Sequence, residues 1–310
     1  MSACTGFRVS QGPQLRLAEV HLSGARHIAF SPAGDRLASG GLQGDVKLWA
    51  IPSGEQLAAL GGNNHPVSGL VWLDDNYLVI ADTHGWLREW DTGAEEVVTE
   101  IRTEPVTSMA LLPSPARLVL GNAAGKLHIY SWPGFTLLAE TALEDGVLSV
   151  AVEPRQQWIA VATDDRRVQL FDAQLAPVHM LQAAPGKSFG LRFAPDGRQL
   201  AGGGWFRVFL WSLDTGELEQ RDSGHFGAIA SLDYSPDGKQ LASIGRITDA
   251  TVRLTDVTSG RLERRLSPQP LCGWDVRFSP DGRYIASSSE DGSVLLYDIT
   301  IPYRPTWYHE

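Results

Sequence analysis

Cysteine is almost missing from this sequence: 310 residues hold only Cys4 and Cys272, at opposite ends of the chain. Two thiols cannot build a disulfide framework, and their separation has no metal-ligand spacing. Two free thiols are expected, with a single closing bridge as the other option. Basic charge is also scarce. Lys and Arg number 26 against 36 acidic residues, a formal charge of -10, and no Lys/Arg-rich run stands out. That excludes the electrostatic footprint of a phosphate-backbone binder, so no direct nucleic-acid partner is expected. Long apolar runs are missing too. No stretch of about 18 apolar residues occurs, and the N-terminal segment MSACTGFRVSQGPQLRL lacks the uninterrupted apolar core of a signal peptide. A cytoplasmic protein without membrane insertion is the expectation. No polar or low-complexity stretch reads as a linker, so residues 1–310 read as one domain.

What the sequence does contain is a rhythm. Aromatic residues close alternating apolar segments at Trp49, Trp90, Tyr130, Phe171, Trp211 and Tyr297, with Thr255 in the one slot without a ring. The separations are 41, 40, 41, 40, 44 and 42 residues, the length of a four-stranded propeller blade. A second landmark keeps phase with the first: a turn at Pro32, Pro113, Pro154, Pro195, Pro236 and Pro280, with Asp74 replacing the proline once. Copies such as SPAGDRLASGG, APDGRQLAGGG, SPDGKQLASIG and SPDGRYIASSS reverse the chain between two β-rich runs, as Pro-x-Gly turns do. Before each turn stands an apolar–free–apolar triplet, from Ile28 and Phe30 in the first unit to Val276 and Phe278 in the last. A period of two means a strand. Third strands such as VKLWA and VLLYD end on the aromatic slot, and a more polar fourth strand such as GELEQRD suits an outer edge.

These units, read as Gly-His, strand, Ser-Pro-Asp-Gly, strand, Asp-Gly, strand, Trp-Asp, resemble the WD-repeat family across nearly the whole chain, from about Leu15 to Thr300. The resemblance implies an all-β fold: a seven-bladed β-propeller of four-stranded antiparallel blades around a central channel. It also implies closure by an N-terminal strand, for which LRLAEV, Leu15 to Val20, is the matching segment. The internal hydrogen-bond network of the family is matched loosely. His65 and His225 stand at the Gly-His position; the turn Asp is present as Asp165, Asp249 and Asp291 but replaced by Gln43, His84 and Ala124. The sixth unit departs most, combining Thr255 with a longer turn, IGRITDATV.

The phased aromatics are accounted for by folding, whereas rings outside the phase are not. Phe189 and Trp274 enter the innermost strands of their units, Trp205 and Phe206 occupy a hairpin turn, and Phe226 and Trp86 also fall out of phase. In WD-repeat proteins such loops gather at the channel mouth. Arg26, Phe189, Trp205, Phe206, Phe226, Arg246 and Trp274 are therefore the candidate protein-binding residues, aromatics and arginines being the usual interface anchors. No catalytic residues, metal site or cofactor are expected. The His and Asp residues fall on structural repeat positions, Gly202 to Gly204 lead into a strand rather than a helix, and the acidic pairs Glu95-Glu96 and Asp164-Asp165 lie in turns. The competing reading is a propeller enzyme, or a metal or small-ligand binder, using the channel mouth, and His27 and Asp275 are the nearest approach to such a site. The tail IPYRPTWYHE, residues 301–310, is expected to fold back onto the propeller or to act as a docking peptide. The expected function is a non-catalytic interaction scaffold or sensor subunit of a multiprotein complex, binding protein or peptide partners and no small-molecule substrate.

Overall fold

The computed structural model describes residues 11–17, 20–61, 64–155, 158–246 and 249–302. The Cys4–Cys272 bridge and the placement of the tail beyond residue 302 fall outside them. Among the described residues, twenty-eight strands form seven four-stranded antiparallel sheets. Blade 1 runs from its inner strand Ala25–Phe30 through Arg36–Gly41 and Val46–Ala50 to the outer strand Gln56–Leu60. Blades 2 to 6 repeat that order over residues 67–102, 108–142, 147–180, 189–222 and 229–265. Each inner strand contacts the next, and the last contacts the first, which closes a ring around a channel.

The repeated turn explains the hairpin between the first two strands of a blade. In blade 1 the amide of Gly34 donates to the Ser31 carbonyl, and Gly34 has a φ of 78°. Gly197, Gly238 and Gly282 hold the same place with φ of 72°, 72° and 71°, a left-handed conformation that favours glycine.

Closure comes from the N-terminal segment, as expected, but over fewer residues. Leu15–Leu17 forms the outer strand of blade 7, pairing antiparallel with Val294–Asp298 in the register Leu15 to Leu296 and Leu17 to Val294. Residues 18 and 19 lie outside the described set, and Val20 has left the strand to join Leu17, Ile28, Trp49 and Leu296 in the core between blades 7 and 1. A short strand suffices because burial between two blades, rather than the ladder alone, secures it.

The core is divided into such seams. Trp211, fully buried, packs with Leu170 and Leu191 between blades 4 and 5 and donates its indole N–H to the Gln182 carbonyl at 2.8 Å. Five of the six phased rings are buried; Tyr130 is half-buried.

The internal network differs from the sequence expectation. His65 does not enter it but stacks on His84 with ring centroids 3.7 Å apart. In blade 1 the position belongs to His21, whose Nε2 lies 2.9 Å from Ser39 Oγ and whose Nδ1 lies 2.6 Å from Asp45. Trp49 Nε1 contacts the same Ser39 hydroxyl at 2.9 Å. An indole can only donate, so the Ser39 hydroxyl proton is free for His21 Nε2, and Nδ1–H donates to Asp45. Asp45, two residues beyond Gln43, supplies the turn carboxylate after all. Blade 6 repeats the arrangement with His225, Ser243 and Asp249. Blade 7 substitutes Gln269, which donates to Ser287 at 2.6 Å. In blade 6, whose slot lacks a ring, buried Arg253 donates to Asp249 at 2.9 Å. Burial pushes the Asp249 carboxyl up, but hydrogen bonds from His225, Thr251 and Arg253 outweigh it and hold the group well below the carboxylate range. Burial holds His225 below the usual imidazole value.

Candidate functional site at the channel mouth

The antiparallel order places three kinds of segment at one end of the ring: the start of each inner strand, the turn between second and third strands, and the crossover from each outer strand to the next blade. All seven candidate residues fall in these segments, so the structure brings them to one face. It does not gather them at one point.

Irregularity in the ladders creates the mouth. In six of the seven blades, the pairing of inner and second strands slips near its start, between Ala25 and His27 in blade 1 and between Gly273 and Asp275 in blade 7, for example. A bulge leaves one residue unpaired and re-aims its side chain. Arg26, Ser68, Leu148, Ala230 and Trp274 are such residues, and all line a cavity of about 240 Å³ at the channel mouth. Phe189 and Arg246 line it too.

Trp274 is the centre of this group. Its half-buried ring has the Arg246 guanidinium carbon 3.7 Å and that of Arg26 5.5 Å from its centroid, both within cation–π range. Its indole N–H is buried without a partner among the described residues. Arg246 reaches it from the longer turn of blade 6, giving that departure from the repeat a structural consequence.

The other three candidates form a separate patch over blades 5 and 6. Trp205 and Phe206 lie 6.0 Å apart, ring to ring, and are 53% and 52% exposed, while Phe226 is 72% exposed. The Phe206 amide donates to the Gly227 carbonyl, tying the hairpin turn to the crossover that carries Phe226. Trp86 sits elsewhere, between Arg88 and Arg102 in blade 2.

Below the rim runs a polar collar, made by residues one place before the first apolar anchor of each inner strand: His27, Gly69, Ser108, Ser149, Gly190, Ser231 and Asp275. Ser108 and Ser149 each accept an amide from the following blade, Val150 at 3.0 Å and Leu191 at 2.9 Å. Ser231 donates to Asp275 at 2.7 Å, and Asp275 also accepts the Ile28 amide at 3.3 Å. One step deeper the chain has Ala29, Val71, Ala110 and Ala151 in blades 1 to 4, but Arg192, Asp233 and Arg277 in blades 5 to 7. These charges occupy the free position of the apolar triplet, where sequence reading assigned no role. Period-two geometry was the available signal, since a residue between two core-facing anchors points away from the core.

The charges of this cluster are paired. Arg277 pairs with Asp275 at 2.7 Å and Arg192 with Asp233 at 3.5 Å. His27 lies 4.0 Å from Asp275, yet burial pushes its imidazole down to about 4, so it is neutral near pH 7. Among the described residues, no three His, Cys, Asp or Glu side chains group as a metal site, and no helix is long and apolar enough to cross a membrane.

With this geometry in place, comparison with known proteins is informative. The family model described as WD domain, G-beta repeat matches residues 12–50, 136–172, 216–256 and 271–298. The chain is 24% identical over 294 residues to Periodic tryptophan protein 2 of Arabidopsis thaliana, covering 88% of this chain and 28% of that protein. It is 27% identical over 220 residues to the Serine-threonine kinase receptor-associated protein of Gallus gallus, covering 70% and 62% respectively. It therefore spans less than two thirds of these relatives' length. A chain from the crystal structure of the mitotic checkpoint complex superposes with a TM-score of 0.82 at 18% identity, covering 93% of this chain and 94% of that one. Repeats and blades agree: the chain carries WD repeats, and its fold is a seven-bladed β-propeller.

Proposed function

We propose that the chain is a non-catalytic interaction scaffold or sensor subunit, cytoplasmic, that binds a protein or peptide partner on the face bearing the channel mouth, within a multiprotein complex. The observation that carries this reading is the convergence of Trp274, Arg26, Arg246 and Phe189 around one concave mouth. A half-buried tryptophan flanked by guanidinium groups is the composition of an interface hot spot. Neither nucleic acid nor a small-molecule substrate is part of the reading. The relatives support it, since one structural neighbour is a chain of the mitotic checkpoint complex and another similar protein is subunit 5 of transcription initiation factor TFIID in Caenorhabditis elegans.

Tagged purification from the cells that encode the chain tests the proposal. A stoichiometric protein partner that is lost with Trp274→Ala is the expected result. Recovery of the wild-type chain only as a free monomer, under several lysis conditions, overturns it.

A further inference from the structure

Among the described residues, four guanidinium groups, those of Arg26, Arg192, Arg246 and Arg277, line the channel mouth, and Asp275 is the single carboxylate in that lining. Asp275 holds Arg277, and Asp233, one step deeper, holds Arg192. Arg26 and Arg246 have no carboxylate partner among the described residues; both rest on the Trp274 ring instead. His27 is the remaining titratable group at the mouth, and it is neutral near pH 7. Four positive groups against two negative ones leave two charges unmatched, on a chain whose formal charge is -10.

The arginines repel one another. Burial and then the charge of Arg246 push the Arg26 guanidinium below its ordinary value, and burial and then Arg277 push Arg192 down to about 10. Each remains charged near neutrality. Hydrogen-bond donors are in excess as well: the Ser68 hydroxyl, 2% exposed, and the Trp274 indole N–H line the same cavity without partners. Buried donors normally find acceptors, and a cavity lined by cations with low-dielectric walls focuses the field on an incoming anion.

We propose that the channel mouth is a receptor for an acidic segment of a partner protein. Its Asp or Glu carboxylates are received by Arg26 and Arg246 and by the unpartnered donors, while its flanking apolar groups stack on Trp274 and Phe189. This deepens, and rests on, the reading of the face as a protein-binding platform. A carboxylate-bearing peptide fits because the unmatched charge sits directly against aromatic surface, which a peptide covers with neighbouring side chains and a free inorganic anion does not. An Arg fork also matches a carboxylate in planar, two-point geometry.

Fluorescent peptide pools, randomised on both sides of a fixed central pair, test the assignment on the full chain. The pair is Glu-Glu, Gln-Gln, Lys-Lys or two phosphoserines. The Glu-Glu pool should be retained, the Gln-Gln and Lys-Lys pools should not, and raising the salt should weaken retention. Arg246→Gln and Arg26→Gln should each weaken it roughly 30-fold or more, whereas Arg246→Lys keeps part of the affinity. Both arginines lie at the rim, and each variant's thermal unfolding serves as the folding control. No retention of the Glu-Glu pool, equal retention of the Gln-Gln pool, preference for phosphoserine, or indifference to both Gln variants would each overturn the proposal. Should a cellular partner depend on Trp274 while the acidic pools fail, the acidic assignment falls and the platform reading stands.

Discussion

Core and mouth tryptophans separate folding from recognition, and the contrast can be measured with two substitutions. Trp211 is fully buried between blades 4 and 5 and satisfies its indole N–H on the Gln182 carbonyl. Trp211→Ala removes a complete side chain from a packed seam and leaves a cavity, costing about 3–5 kcal/mol. Against a total of about 5–15 kcal/mol, that is a large fraction, and it corresponds to a fall in Tm of roughly 5–8 °C for a chain of this size. Trp274 is half-buried on the rim, with an unpartnered indole and two guanidinium neighbours. Trp274→Ala forfeits two cation–π contacts of about 0.5–1 kcal/mol each, and relieves an unsatisfied donor. A fall in Tm under about 3 °C follows. Scanning calorimetry of both variants beside wild type is the assay. If Trp274→Ala destabilises the chain as much as Trp211→Ala, the mouth aromatic is a core residue and the reasoning for a binding face fails.

Three further outcomes follow from the same structure. Leu17, 7% exposed in the closing strand, should be intolerant of Leu17→Asp: urea unfolding should lose about 3 kcal/mol or more, and a near-wild-type midpoint would show that closure is dispensable. Arg253→Met strips a buried cation from Asp249 and should cost about 3–5 kcal/mol; a loss under about 1 kcal/mol would show that His225 and Thr251 alone satisfy the carboxylate. The folded state holds His27 neutral down to about pH 4, whereas an unfolded histidine takes up a proton near pH 6.5. The unfolded chain therefore binds the extra proton as pH falls through that window, and stability is lost. With the ring 27% exposed, this amounts to about 1–2 kcal/mol between pH 7 and pH 5. The difference in urea midpoints between wild type and His27→Gln isolates it, and a constant difference across that range would contradict it.

Much of the ring was legible because its determinants are local and periodic. The triplets of the inner strands, the Pro-Gly turns and the aromatic slots each repeat with the blade, so seven noisy copies reinforce one another. The internal network was less visible. His21 and His225 each stand 18 residues before their serine and 24 before their aspartate, a spacing that Gln269 keeps to Ser287 and Ser293. Adjacency to glycine pointed instead to His65, whose ring stacks on His84. Composition could not reveal the mouth either. Arg192, Asp233 and Arg277 are single residues more than forty positions apart in the sequence, and the stacking of consecutive blades and ring closure bring Arg192 and Arg277 beside Arg26 and Trp274.

The most direct test of a binding face at the channel mouth is hydrogen exchange on the chain with its purified partner bound. New protection should fall on residues 25–27, 189–190, 246 and 273–275, at the rim of the mouth. Protection confined instead to the outer strands Glu96–Arg102 and Leu137–Ala142, where Val98 and Leu138 are exposed, would place the partner on the ring's edge and contradict the account.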